Sequence, residues 1–181
     1  MLLETGDESA LSIRAIAEAV GVTPPSIYLH FADRNELVFA VVEEGFRHLH
    51  GAMDEAVKGI EDPMRRIEAR GRAYIDFGLT HPEHYRILMM SSPELTPERF
   101  GDVRLVDTAD LGPLLQDVRD AIEAGQIRGD DPLMVASGLW IMVHGITSLL
   151  IAKPDFPWPD RQALIEYLLN AYEYGLHDPL G

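Results

Sequence analysis

LSIRAIAEAVGVTPPSIYLHFADRNEL, residues 11–37, is the stretch whose reading decides the fold. Ile13, Ile16, Ala17 and Val20 fall at i, i+3, i+4 and i+7 and predict one apolar helical stripe. Ser12 stands where an N-cap is wanted. Gly21 permits the positive φ of a tight turn, and Val22 after it is expected to plug the angle between two helices. Thr23 caps a second helix with Pro24 at its first position, where the missing N–H costs nothing. Ile27 and Phe31 face inward, leaving Ser26, Tyr28 and His30 outside. Asp33 with Glu36 forms a capping box for a third helix. This is the layout of a helix-turn-helix, in which one helix supports and the next enters a DNA groove.

Outward from this stretch the pattern stays helical. Leu37, Val38, Val41, Val42, Phe46 and Leu49 give the third helix a broad inward face over roughly 20 residues, or about 30 Å. No Gly/Ser linker separates it from the rest of the chain, so motion in the larger part is expected to reach the small module rigidly. Asp62-Pro63 opens a helix to about Thr80, and His81-Pro82 opens a shorter one through Tyr85 to Met90. Residues 91–101 read as a loop or broken helix. A helix from Asp107 to Ala124 is expected to be interrupted near Gly112-Pro113 and ended by Gly125. Asp131-Pro132 starts an apolar helix to Ala152. Pro154, Pro157 and Pro159 make a stiff connector before a last helix that ends ahead of Pro179. Residues 1–4 read as a stub of helix ended by Gly6. No strand pattern or internal repeat is visible. The fold class is all-α, with a helix-turn-helix module over residues 1–50 and a larger helical bundle over 51–181.

The totals narrow the function. The chain has 181 residues, 46 % of them apolar, and no cysteine, so disulfides, thiolate metal sites and cysteine nucleophiles are excluded. No segment reads as a secretion signal or a membrane span, which predicts a cytoplasmic protein. The net charge of −15 argues against general polyanion binding. Even residues 11–37 hold only Arg14 and Arg34 against Glu18, Asp33 and Glu36. Any DNA reading must use a small local surface.

Ile16-Ala17, Gly21-Val22, Tyr28, His30-Phe31 and Glu36-Leu37 together resemble the TetR family of one-component transcriptional regulators. His81-Pro82-Glu83-His84-Tyr85-Arg86 and Trp140-Ile141-Met142-Val143-His144-Gly145 are similar to a subgroup with a Trp…His-Gly C-terminal domain. The resemblance implies a cytoplasmic homodimer with three small N-terminal helices, a ligand-binding bundle, and its last two long helices paired across a two-fold axis. It also implies a complete first helix, of which residues 1–4 would be the remainder. Arg34 stands where the family usually has lysine, and keeps the charge with a fork geometry.

Candidate DNA contacts are Ser12, Arg14, Thr23, Pro24, Pro25, Ser26, Tyr28, His30 and Arg34. By the resemblance, Tyr28, His30 and Arg34 hold phosphates while Thr23 to Ser26 approach base edges. Phosphates set register and bases carry the sequence information. For some of these the plainer role is capping or packing.

Candidate pocket residues are Tyr74, Phe77, Tyr85, Met89 and Met90, with Met134, Trp140, Met142 and His144 from the apolar helix. Aromatics and methionines give an adaptable lining, though the same spacing suits an ordinary core. Ile146, Leu149, Leu164, Leu168 and Tyr172 are candidates for a dimer face. His81 and His84 are the nearest approach to a metal pair, but Pro82 splits them, and no cofactor or metal is expected. No acid–base set for an enzyme can be assembled. The implied partners are double-stranded operator DNA and an unidentified small apolar or aromatic effector, whose binding releases a repressor. The alternative is a small-molecule-binding helical dimer whose DNA binding is impaired or lost.

Overall fold

The computed structural model describes residues 12–90, 108–128 and 131–177. The expected helix stub at residues 1–4, the loop at 91–101, the start of a helix at 107 and the chain end at 179 lie outside them, as does the Met90 side chain.

The described residues form helices and no strand. Helix α1 is Ile13–Val20, α2 Pro24–Tyr28, α3 Arg34–Ala56 and α4 Pro63–Thr80. Helix α5, Pro82–Tyr85, runs into a π-helical turn, Arg86–Met90. Then come α6 Thr108–Glu123, α7 Pro132–Ala152 and α8 Arg161–His177.

Capping side chains fix most starts. Ser12 Oγ accepts from Ala15 N at 3.1 Å, Asp33 Oδ1 from Asn35 N at 2.8 Å, Asp62 Oδ1 from Arg65 N at 2.9 Å, and Asp131 Oδ1 from Leu133 N at 3.0 Å. The Asp62 carboxyl is held below its usual pKa, first by the Arg65 N–H and then by the Gln126 side chain. Thr23 differs from its expected role. Its side chain caps no backbone N–H and instead meets Ser26 Oγ at 2.9 Å.

Helix α4 is the axis of the bundle, packed against α3, α5, α6 and α7. One core joins Leu49, Tyr74, Ile75, Tyr85, Val143 and Ile165; a second joins Met64, Ile67, Val118, Ala121 and Leu139. A small separate cluster of Ile13, Ala17 and Ile27 holds the N-terminal module. Gly78 lets α4 approach α5 and α7: a Cβ there would meet the Tyr85 ring at 2.9 Å and collide with the Thr147 methyl.

Several expectations change. Helix α3 passes Leu49 and runs to Ala56, a turn or more beyond the expected end, so the boundary drawn at residue 50 falls inside the helix that joins the two parts. Helix α6 runs through Gly112-Pro113 without interruption. Pro113 falls in the second turn, where only one backbone bond is lost. Val20 and Val22 are exposed, at 65 % and 45 %, so Val22 does not plug the angle between α1 and α2 as expected. Helix α7 contradicts the absence of a span-like segment: its 21 residues have mean hydropathy 1.8 over the best window, enough by length and composition to cross a membrane. Helix α7 packs against both α4 and α6, and so needs apolar residues on more than one face.

Candidate functional site

The N-terminal module presents one exposed edge. Gly21 takes φ 74° and ψ 28°, and its N–H returns to Ala17 and Glu18 carbonyls, which turns the chain between α1 and α2. Pro24 and Pro25 occupy the first turn of α2, where helix N–H groups lack partners. Ile27 buries its side chain against Ala17 and Ile13. That leaves Ser12, Arg14, Thr23, Pro25, Tyr28 and His30 exposed, with Pro24, Ser26 and Arg34 half-buried. All nine sequence candidates are therefore accessible to some degree. Leu29, 83 % exposed between Tyr28 and His30, was not among them. Its signal was a large apolar side chain on the outward side of a short helix.

Between the helices of the bundle lies a partly open cavity of about 480 Å³. Helix α3 contributes Phe46, Leu49 and Met53 to its wall, α4 contributes Ile67 and Tyr74, and the π-helical turn contributes Leu88 and Met89. Helix α7 adds Leu139, Trp140, Met142 and Val143, and α8 adds Leu169 and Tyr172. The wall is thus built mainly from apolar side chains, with the tyrosines Tyr74 and Tyr172 and, as its acidic, basic or imidazole groups, His50, Asp54, Glu68, Arg70 and Glu173.

Four of the nine candidate pocket residues line this space: Tyr74, Met89, Trp140 and Met142. Tyr85 and His144 stand behind Tyr74 rather than on the wall. The Tyr85 hydroxyl lies 2.7 Å from His144 Nδ1 and 3.1 Å from the Tyr74 hydroxyl, which is itself 3.2 Å from His144 Nδ1. Burial pushes the Tyr74 and Tyr85 pKa values up and the His144 pKa down. All three therefore stay neutral at pH 7, and Tyr74 brings the end of a polar chain to an apolar wall. Phe77 packs beside His81, with ring centroids 5.3 Å apart, outside the cavity. Met134 is 70 % exposed and is not a pocket residue. It lies in the first turn of α7, near the Asp131 cap and away from the bundle centre.

The proposed dimer residues also divide. Ile146 is buried in the bundle core, and Tyr172 is half-buried and lines the cavity. On a helix apolar all round, spacing does not separate inward from outward positions. Leu149 is exposed, while Leu164 and Leu168 are half-buried.

Beside the cavity lies an arginine–carboxylate cluster that sequence reasoning missed. Arg66 Nε donates to Asp117 Oδ1 at 2.6 Å and Arg70 Nε to Asp117 Oδ2 at 2.7 Å. Arg66 also pairs with Asp120, and Arg70 Nη1 donates to Asp54 Oδ1 at 2.7 Å. Arg72 Nη2 reaches Glu166 Oε2 at 2.6 Å and Glu68 Oε1 at 2.8 Å. These bonds tie α4 to α6, α3 and α8. Apart from Arg72–Glu68, an i,i+4 pair within α4, their partners are 16 to 94 residues apart in sequence, so no local pattern could have announced them. Among the described residues no three His, Cys, Asp or Glu side chains converge as a metal site.

Residues 67–172 match the family model described as Tetracyclin repressor-like, C-terminal domain. Residues 1–41 match bacterial regulatory proteins, tetR family. The chain is 26 % identical over 100 residues to the HTH-type transcriptional activator FasR of Mycolicibacterium smegmatis, a match covering 55 % of this chain and 46 % of that protein. The chain's matches thus span less than half the length of the curated relatives, 46 % and 41 % for two of them. A solved protein of unknown function from Rhodococcus sp. RHA1 is similar with a TM-score of 0.78 and 25 % identity, over 97 % of this chain and 90 % of that one. AibR, solved in complex with isovaleryl coenzyme A and operator DNA, is similar in fold with a TM-score of 0.70 and 22 % identity, over 99 % of this chain and 93 % of that one.

Proposed function

Because this chain belongs to the tetR family of bacterial regulatory proteins, we propose that it is a ligand-responsive, DNA-binding transcriptional regulator acting as a repressor, and not an enzyme. The observation that carries the reading is the continuity of α3. Its first turn is capped beside the helix-turn-helix, and further along Phe46, Leu49 and Met53 form a wall of the cavity. A ligand that favours one placement of this wall tilts the reading head with it. The ligand shifts the balance only by its differential affinity for the two placements.

In this reading, residues 1–50 read DNA and 51–181 sense and dimerise. Tyr28, His30, Arg34, Ser12 and Arg14 hold phosphates, and Thr23 to Ser26 approach base edges. Leu29 adds an apolar contact of the kind that meets a thymine methyl. The cavity takes an apolar or aromatic effector against Tyr74, Trp140, Met89 and Met142. Exposed Ile141, Leu149 and Tyr167 on α7 and α8 supply the apolar face of a homodimer. A relative named as a transcriptional activator and one solved with an acyl-coenzyme A and operator DNA support regulation through both parts. A cytoplasmic location goes with that role.

The test is a gel shift of the chain against the DNA upstream of its own coding sequence. A shifted band lost to unlabelled specific DNA, and weakened steeply by salt, is expected. Tyr28→Ala with His30→Ala should weaken that band on every sequence alike, and Arg34→Gln should in addition lower its salt slope. Absence of any specific, salt-sensitive band overturns the reading.

A further inference from the structure

The cavity's charged rim identifies the chemistry of its ligand more closely than its apolar wall does. Arg70 is the only arginine or lysine among the described residues that line it. Its side chain is 12 % exposed and held from two sides. Behind it is Asp117, 7 % exposed, which also accepts from Arg66. In front is Asp54 of α3, itself a cavity residue and 61 % exposed. The two carboxylates are unequal partners. Asp117 is buried between two guanidinium groups and would be stranded by leaving. Asp54 already sits largely in water and can return there at small cost.

We propose that the cavity binds an amphipathic monocarboxylate whose carboxylate takes Asp54's place on Arg70 while its apolar body lies against Tyr74 and Trp140. This rests on the ligand-responsive reading above and adds the ligand class and the contact that is exchanged. Asp54 lies in the last turn of α3, and its bond to Arg70 ties that helix to α4 beside the cavity. Exchanging one carboxylate for another keeps Arg70 paired and removes that tie, while the Asp54 charge returns to water. The effector therefore binds better to the placement in which α3 has moved away, which is the differential affinity that regulation requires.

A cationic ligand fits the same rim less well, although Asp54, Glu68 and Glu173 outnumber Arg70 there. Asp54 is paired with Arg70 and Glu68 with Arg72, and Glu173 likewise has a partner. A cation would have to draw Asp54 or Glu68 away from its arginine, leaving Arg70 with Asp117 alone or Arg72 with Glu166 alone. A carboxylate leaves every arginine satisfied, with charge-assisted bonds and a planar fit to the guanidinium.

The test compares decanoate, decan-1-ol and decylammonium, one tail with three heads, binding to the full chain at neutral pH by calorimetry. Decanoate is expected to bind about tenfold more tightly than the alcohol, the size of one charge-assisted anchor. Asp54→Asn, at an exposed position, should tighten decanoate a few-fold and leave the alcohol unchanged, because the competing carboxylate is gone. Arg70→Gln, with folding checked by circular dichroism, should abolish the preference between heads. Equal binding of alcohol and decanoate, tighter binding of the ammonium, an unchanged decanoate affinity in Asp54→Asn, or no binding of any probe would each overturn the carboxylate exchange. The operator band without ligand is read separately. If it persists, regulation stands without this ligand class; if it is absent, the regulator reading fails whatever the probes do.

Discussion

Asp117→Asn is the most informative single change in the bundle. Asp117 is 5 % exposed, and its two oxygens each accept from a different arginine, Arg66 at 2.6 Å and Arg70 at 2.7 Å. Asparagine keeps the size and one acceptor oxygen. It loses the charge and points an N–H₂ group at a guanidinium that also only donates. Removing one partner from a buried ionic cluster costs about 3–5 kcal/mol. Here the loss is smaller, because Arg66 keeps Asp120 and the Glu61 carbonyl while Arg70 keeps Asp54. About 2–3 kcal/mol is expected, which for a chain of this size lowers Tm by roughly 5–10 °C. A domain's typical stability of about 5–15 kcal/mol leaves the variant folded at room temperature. Asp120→Asn is the internal control. Asp120 is 38 % exposed and pairs with Arg66 at the edge of the cluster, so it should cost less than about 1 kcal/mol. Urea unfolding followed by circular dichroism measures both. A loss below about 0.5 kcal/mol for Asp117→Asn, or an equal loss for Asp120→Asn, would refute the unequal roles given to buried and exposed carboxylates.

Three further outcomes are expected of the same structure. Burial lowers the His144 pKa below its ordinary 6.5, so the unfolded chain holds a proton there that the folded one lacks. Stability should be full above pH 6.5 and fall as pH drops below it, and His144→Gln should flatten that part of a urea-midpoint profile. The separate loss from Glu166, held below its ordinary 4.5 first by its bond to Arg72, begins only near that lower pH. Gly21→Ala forces a side chain to φ 74° at a strain of about 1–2 kcal/mol. The operator band should weaken while decanoate binding is unchanged; a full-strength band would contradict the turn's role. Gly78→Ala gains up to about 1 kcal/mol of helix propensity but pushes a methyl into Thr147 and Tyr85, so a net loss of about 1–2 kcal/mol is expected in thermal melts. Gly51→Ala, with nothing within 4 Å of its added Cβ, should instead stabilise.

The helix starts were legible because a cap is a local device. Ser12, Asp33, Asp62 and Asp131 each satisfy N–H groups two or three residues away, and each marks a helix that the sequence predicts. The glycine turn, the outward edge of α2 and the continuity of α3 come in the same way from residues close in the chain. Direction within the bundle did not. Helix α7 carries apolar side chains all round, so spacing could not tell that Met142 meets the cavity, Ile146 the core, and Met134 and Ile141 the outside. Nor could it find the Arg70–Asp54 and Arg70–Asp117 bonds, whose partners come together only when α3 and α6 pack against α4. The sequence by itself determined a helix-turn-helix with a helical bundle behind it, because backbone capping and periodicity are short-range. Which side chains face the cavity, and that Arg70 on its wall bonds the far end of the long helix α3, was decided by tertiary packing, because those contacts cross between helices and leave no spacing in the chain.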